Sequence, residues 1–160
     1  MNERDMHIFL EVGVNFFEKT TGEKATFGTG TLQFGKSELL DYSGVIRVSG
    51  ASEGLVCLTV SRAMIDEMLR ATGEIPAADA LACDLVGEVA SIIASNARKF
   101  FGPRFGIAPP ETFASDGAAH LALPFARFAL PIHWRGFRAH LILALGESAA
   151  ALELDRPSLA

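Results

Sequence analysis

The run Asp84-Leu85-Val86-Gly87-Glu88-Val89-Ala90-Ser91-Ile92-Ile93-Ala94-Ser95-Asn96-Ala97-Arg98-Lys99 decides the architecture of the chain. Around it Leu81, Leu85, Val89, Ile92 and Ile93 recur at helical spacing, which predicts an α-helix with one apolar face. Asp79 stands where an N-cap belongs, and Gly102-Pro103 follows the last apolar residue, so the helix is expected over about 80–101. Arg98 and Lys99 fall in its last turn, where cations suit the helix dipole. Asp84, Glu88, Ser91 and Ser95 are spaced by four, three and four residues, so they form one polar stripe beside the apolar face. A merely solvated face usually carries long Lys and Glu side chains. Here the residues after Glu88 are Ser and Ala, which lets another surface approach the backbone closely.

Downstream, residues 103–118 read as irregular. Ala126 to Trp134 and Phe137 to Leu145 form a hairpin turning at Arg135-Gly136, with Pro131 requiring an edge or a bulge because it lacks an amide donor. The tail after Gly146 is Ala-rich, with one helical turn or a frayed end expected. Upstream, Ser61 caps a short helix whose inner face is Met64, Ile65, Met68 and Leu69, and Gly73 ends it. Before it, Gly44 to Ser49 and Leu55 to Val60 read as a hairpin. Ala25 to Phe34 is a Thr- and Gly-rich strand candidate. The first helix runs from about Asp5 to Thr21, with Met6, Phe9, Leu10, Gly13, Phe16 and Phe17 on one face and Gly22 as its stop. Each half is thus a helix, an irregular stretch and a hairpin. The fold class is α+β, with two helix-plus-hairpin repeats in one domain over residues 1–146 and a tail over 147–160.

The 160 residues suit one domain, and 49% apolar content excludes a disordered chain. The formal charge of −5 is scattered without a basic patch, so no nucleic-acid partner is expected. The N-terminus lacks a secretory pattern, and no stretch has the uninterrupted apolar length of a membrane span, so no membrane partner is expected. The two cysteines, Cys57 and Cys83, sit in strand and helix patterns and read as small core residues, able to pair only if the fold brings them together. A reducing cytoplasm is the expected location.

Gly30-Thr31-Leu32-Gln33-Phe34-Gly35-Lys36-Ser37 matches a phosphate loop formally. That loop needs a buried strand before it and a helix after it, to offer amide donors. The flanks supply neither, so a strand followed by a polar turn is the preferred reading, and nucleotide binding through Lys36 is the remote one. His7, His120, His133 and His140 show no metal-ligand spacing; His133 and His140 share a hairpin, but surface histidines are the plainer reading, and no metal site is expected. No Gly-x-Ser-x-Gly elbow is present.

The segment from Asp84 to Lys99 resembles the signature helix of the CheC/CheX/FliY family of bacterial chemotaxis phosphatases, which reads Gly-Glu-x-x-Asn, then apolar residues, then a small residue before Gly/Asn-Ala-Arg/Lys. Asp41 through Gly54 resembles the first hairpin of the CheX branch, Met64 through Glu74 its short helix, Phe9 through Asn15 its first helix, and Leu130-Pro131 its closing hairpin. The resemblance implies two helix-plus-hairpin repeats with both long helices on one side of an antiparallel sheet (a CheC-like fold). It implies a protein that docks on a CheY-like response regulator and hydrolyses its aspartyl phosphate, with no cofactor of its own and magnesium on the regulator. It also implies a homodimer joined at sheet edges.

In the family the Glu matching Glu88 pairs with a regulator lysine, and the Asn matching position 91 holds water in line with phosphorus. Here position 91 is Ser, which lacks the amide's paired donor and acceptor. Glu88 and Ser91 are the catalytic candidates, with Asp84, Ser95 and Asn96 as partner contacts. Glu11 and Asn15 are weak second-site candidates, because the CheC branch carries a site on its first helix. The alternative is a catalytically weak or inactive binding module using the same helix face.

Overall fold

The two hairpins foreseen in the sequence meet side by side at the centre of one antiparallel sheet. The computed structural model describes residues 3–50, 53–76, 78–115, 120–122, 126–145 and 153–155. Its elements run α1 (Glu3–Thr21), β1 (Thr26–Phe27), β2 (Thr31–Gln33), β3 (Lys36–Glu38), β4 (Tyr42–Gly50), β5 (Gly54–Val60), α2 (Arg62–Ala71) and α3 (Asp79–Phe101). They continue as β6 (Phe105–Ile107), β7 (Glu111–Ala114), β8 (His120–Ala122), β9 (Arg127–Trp134), β10 (Phe137–Leu145) and β11 (Glu153–Asp155). The main sheet has the order β1-β9-β10-β5-β4-β6, with β2 also on β9 and β7 also on β4. β5 and β10 pair in the middle, from Val60↔Ala139 to Gly54↔Leu145.

The repeat is deeper than helix plus hairpin. The short strands after α1 (β1 and β2) border β9 of the second half, and the short strands after α3 (β6 and β7) border β4 of the first. β3 and β8, one from each half, pair with each other, and β11 extends that small sheet. Residues 103–118, expected to be irregular, therefore hold two strands. Both are too short to show a period, and their order comes from the β4 edge and from the Arg47–Glu111 ion pair (2.9 Å). The helical turn considered for the tail falls on residues 146–152, outside the described residues. Beyond it Glu153–Asp155 is a strand.

Alternation along the strands sorts the core. Ile46, Val56, Leu58, Leu130, Ile132 and Leu141 face the helices, packed with Phe9 and Phe17 of α1 and Val86 and Ile93 of α3. Val45, Leu55, Cys57 and Ile142 point the other way, against Leu121 of β8 and Leu39, the residue that follows β3. The free thiols of Cys57 and Cys83 thus belong to different elements, β5 on the small-sheet side and α3. By length and composition α3 would also reach across a bilayer, but in the fold Val86, Val89, Ile93 and their neighbours pack in the core.

The bulge expected at Pro131 is present in the ladder against β9, where the register steps by one residue between Phe27↔Ile132 and Thr31↔Ala129, so that residues 28–30 stand opposite residues 130–131. The Pro131 carbonyl accepts from the Gly28 amide (2.9 Å), so its missing donor faces the gap between β1 and β2, where no ladder partner is waiting. The β9–β10 turn places Arg135 and Gly136 at φ 49° and 79°, the left-handed pair that a two-residue hairpin of this hand requires.

Candidate functional site

α3 is seated by small residues. A Cβ on Gly44 of β4 would lie 3.0 Å from the Val86 carbonyl oxygen and 3.3 Å from the Gly87 backbone, and one on Gly87 would lie 2.6 Å from Thr112 Cγ2. Two glycines therefore let the helix sit directly on the β4–β7 pair, where Gly44 is the register partner of Thr112. The buried residues of α3 are Ala82, Val86, Gly87, Val89, Ala90, Ile93, Ala94 and Ala97. The face is rotated from the expected one: Val89 and Ile93 are on it, while Leu81, Leu85 and Ile92 are only half-buried beside it. Close packing on a sheet selects small side chains, and counting large apolar residues pointed to the wrong angle.

The helix start also differs. Ala78 is the N-cap, without a side-chain bond, and Asp79 is the first helical residue. Its carboxylate is engaged elsewhere, accepting from the Tyr42 hydroxyl (2.6 Å) and from Arg62 (3.5 Å). Burial and this bond to Asp79 push the Tyr42 hydroxyl up to about 12. Arg62 lies over the Tyr42 ring, 5.2 Å from its centroid, so β4, α2 and α3 are tied at one point.

The outward ridge of α3 carries Asp84, Glu88 and Ser95 exposed, with Ser91 half-buried one turn after Glu88. Glu88 enters none of the ion pairs among the described residues, and its carboxylate faces outward. Asn96 is half-buried and lies about 140° around the helix from Ser91, so the two side chains leave on different sides of the ridge. Glu11 and Asn15 are exposed on α1. Phe9 meets Phe101 at 5.9 Å between ring centroids, while Phe16 and Thr20 lie level with Leu81 and Leu85, so α1 and α3 run antiparallel.

Between them and α2 opens a groove of about 450 Å³ that Glu88 shares with the ridge. Its floor is Phe16, Leu69, Leu81, Leu85, Val89 and Ile92, and Glu74, Asp84 and Glu88 stand around it. Sequence reasoning missed this groove. The only signal was that Leu81, Leu85 and Ile92 were too many large apolar residues for a helix that also buries Ala82, Ala90 and Ala94.

Elsewhere, the formal phosphate loop is strand β2, a turn at Gly35 (φ 72°) and strand β3, with no helix after Lys36. The turn is organised by Arg127, only 1% exposed, which donates to Ser37 Oγ (2.6 Å) and to the Gly35 carbonyl. Among the described residues no three His, Cys, Asp or Glu side chains gather to hold a metal ion. His133 and His140 share one face of the β9–β10 hairpin, and burial first, then Arg138 and His133, holds His140 below the usual histidine range.

A family model described as chemotaxis phosphatase CheX matches residues 42–133. Solved structures share the fold. A CheC-like superfamily protein from Shewanella sp. PV-4 is 22% identical with a TM-score of 0.80, covering 92% of this chain and 100% of that one. Chemotaxis protein CheX from Vibrio vulnificus is 18% identical with a TM-score of 0.78, covering 89% and 99%. A chain of the CheX–CheY–BeF3–Mg complex from Borrelia burgdorferi is 18% identical with a TM-score of 0.68, covering 89% and 97%. No curated protein sequence matches the chain.

Proposed function

The chain belongs to the CheX family of chemotaxis phosphatases, and we propose that it docks α3 against a phosphorylated CheY-like receiver domain in the cytoplasm and hydrolyses the receiver's aspartyl phosphate. The observation that carries this reading is the outward Glu88 carboxylate, in no ion pair among the described residues, on a helix pinned to the sheet at Gly87. A relative in the same fold is seen in a CheX–CheY complex, which supports the choice of partner.

In this reading Glu88 reaches a lysine of the receiver's phosphorylation pocket and fixes the register of docking. Ser91, one turn on, holds the attacking water in line with phosphorus. Magnesium belongs to the receiver. Such a site works by positioning a nucleophile rather than by covalent chemistry of its own, as the water-orienting glutamine of GTPases does. A rigid helix suits that task, because a misplacement of ~1 Å costs on the order of 10²-fold in rate.

Ser91 favours a second reading on the same face. A hydroxyl is shorter than an amide and lacks its paired donor and acceptor, so docking without efficient hydrolysis would make the protein a sink or adaptor for the phosphorylated receiver. A homodimer belongs to the proposal as well. Leu32 and Phe34, 51% and 71% exposed at the open side of β2, support that edge as the junction.

One experiment separates the readings. The protein is mixed with phosphorylated receivers from the same cell, and phosphate loss is followed. Acceleration that Glu88→Ala abolishes is the result expected of the phosphatase. Tight binding without acceleration, restored by Ser91→Asn, identifies the adaptor. Failure of every receiver to bind removes both.

A further inference from the structure

The groove beside Glu88 is larger than a ridge-only contact requires. Its volume of about 450 Å³ lies in the range of pockets that take a ligand group. The floor is apolar, and Glu74, Asp84 and Glu88 supply its charges, with no Lys, Arg or His among the lining side chains. The loop that brings Glu74 to the lip also carries Ile75, 81% exposed. A receiver seated on the ridge cannot cover Glu88 without covering the mouth of the groove, because Asp84 and Glu88 belong to both.

We propose that the groove is the specificity pocket of the docking face, taking an apolar side chain flanked by Lys or Arg from the surface of the receiver. This deepens the docking reading above and rests on it. Charge complementarity selects the occupant. Carboxylates standing around an apolar floor, exposed until a partner covers them, favour a cationic rim on that partner and penalise an acidic one. A membrane surface, whose headgroups are anionic, is repelled by the same three carboxylates. A second copy of this chain, with net charge −5, is a poorer match than a basic-rimmed partner.

The test uses the full chain and purified CheY-like receivers from the same cell, loaded with magnesium and beryllofluoride. Affinity is measured from low to high salt for wild type, for Glu74→Lys/Asp84→Lys and for Leu81→Ser, while methyl NMR follows Leu81, Leu85 and Ile92. Both charge reversals are at exposed positions, and unchanged thermal midpoints verify that the variants are folded. The expected results are methyl shifts on binding, wild-type affinity that falls with salt, and a loss on the order of 10-fold or more with a flattened salt dependence in the double variant. Leu81→Ser weakens binding with the salt dependence kept. A receiver that binds all three forms equally and leaves the methyls unmoved overturns the pocket while the ridge reading stands. Absence of binding to wild type by any receiver overturns both.

Discussion

Substituting Gly87 by Ala sets two magnitudes against each other. In an exposed helix the change stabilises by about 0.8–1 kcal/mol through backbone entropy. Here the new Cβ would stand 2.6 Å from Thr112 Cγ2, with Pro110 Cβ and Cγ at 3.4 Å. Thr112 cannot swing away cheaply. It is β-branched, it pairs with Gly44 on β4, and it shares a hydrogen bond with Cys83 of α3. Overpacking of this kind costs about 1–3 kcal/mol, so Gly87→Ala is expected to lose about 0–2 kcal/mol net. Thr112→Ser deletes the clashing methyl, and the remaining 3.4 Å contacts to Pro110 are ordinary. In that background Gly87→Ala should recover most of its helix-propensity gain. The double-mutant cycle, measured by urea unfolding, is therefore expected to show a coupling of about 1–3 kcal/mol. In the Thr112-containing form the lifted helix also carries Glu88 and Ser91 with it, so under the phosphatase reading proposed above receiver dephosphorylation should fall along with stability. Additivity within about 0.5 kcal/mol would refute the close seating of α3 on β4 and β7, and with it the argument that glycine positions the ridge.

Two further outcomes follow from buried groups. Burial holds the Cys57 thiol up to about 12, from an ordinary 9.0, so the folded protein keeps that proton while the unfolded chain releases it. The contribution is complete below about pH 9 and is lost as pH rises toward 12, so a urea series from pH 8 to 11 should show falling stability whose slope is shallower in Cys57→Ala; equal slopes would contradict the assignment. Arg127→Met removes donors from the buried Ser37 Oγ and from the carbonyl of Gly35, an exposed residue whose oxygen can turn to water, and at about 1–3 kcal/mol for the one buried acceptor left unmatched it should cost about 1–3 kcal/mol; a loss under about 0.5 kcal/mol would mean that water replaces the guanidinium at Ser37 as well.

The sequence made the helices and both hairpins legible because each is long enough to display a period and is punctuated by Gly, Ser or Pro. α1, α2 and the central strands fall where Phe9, Met64 and Val56 said they would. The short strands were only partly legible: Ala25 to Phe34 read as one strand candidate and holds two strands, β1 and β2, while β6 and β7 were hidden in a stretch that read as irregular. Two- and three-residue segments such as Thr26–Phe27 and Phe105–Ile107 have no period, and only the neighbouring strand orders them. The ridge of Asp84, Glu88, Ser91 and Ser95 was readable, because it depends on helical spacing alone. The groove was not, because Phe16, Leu69, Glu74 and Leu81 come from separate elements that only tertiary packing brings together. Asp79 looked like a cap for the same reason: its tie to Tyr42 spans 37 residues.

The exchange of border strands between the halves has a consequence for how this chain holds together. Each half lends its short strands to the hairpin of the other, and the central pair β5–β10 bridges them. A fragment ending before Asp79 would keep α1 and its hairpin yet leave β1 and β2 with nothing to bind. Severing the chain there should give two polypeptides that are unfolded alone and acquire structure only when mixed, as interlocking pieces of one cooperative unit.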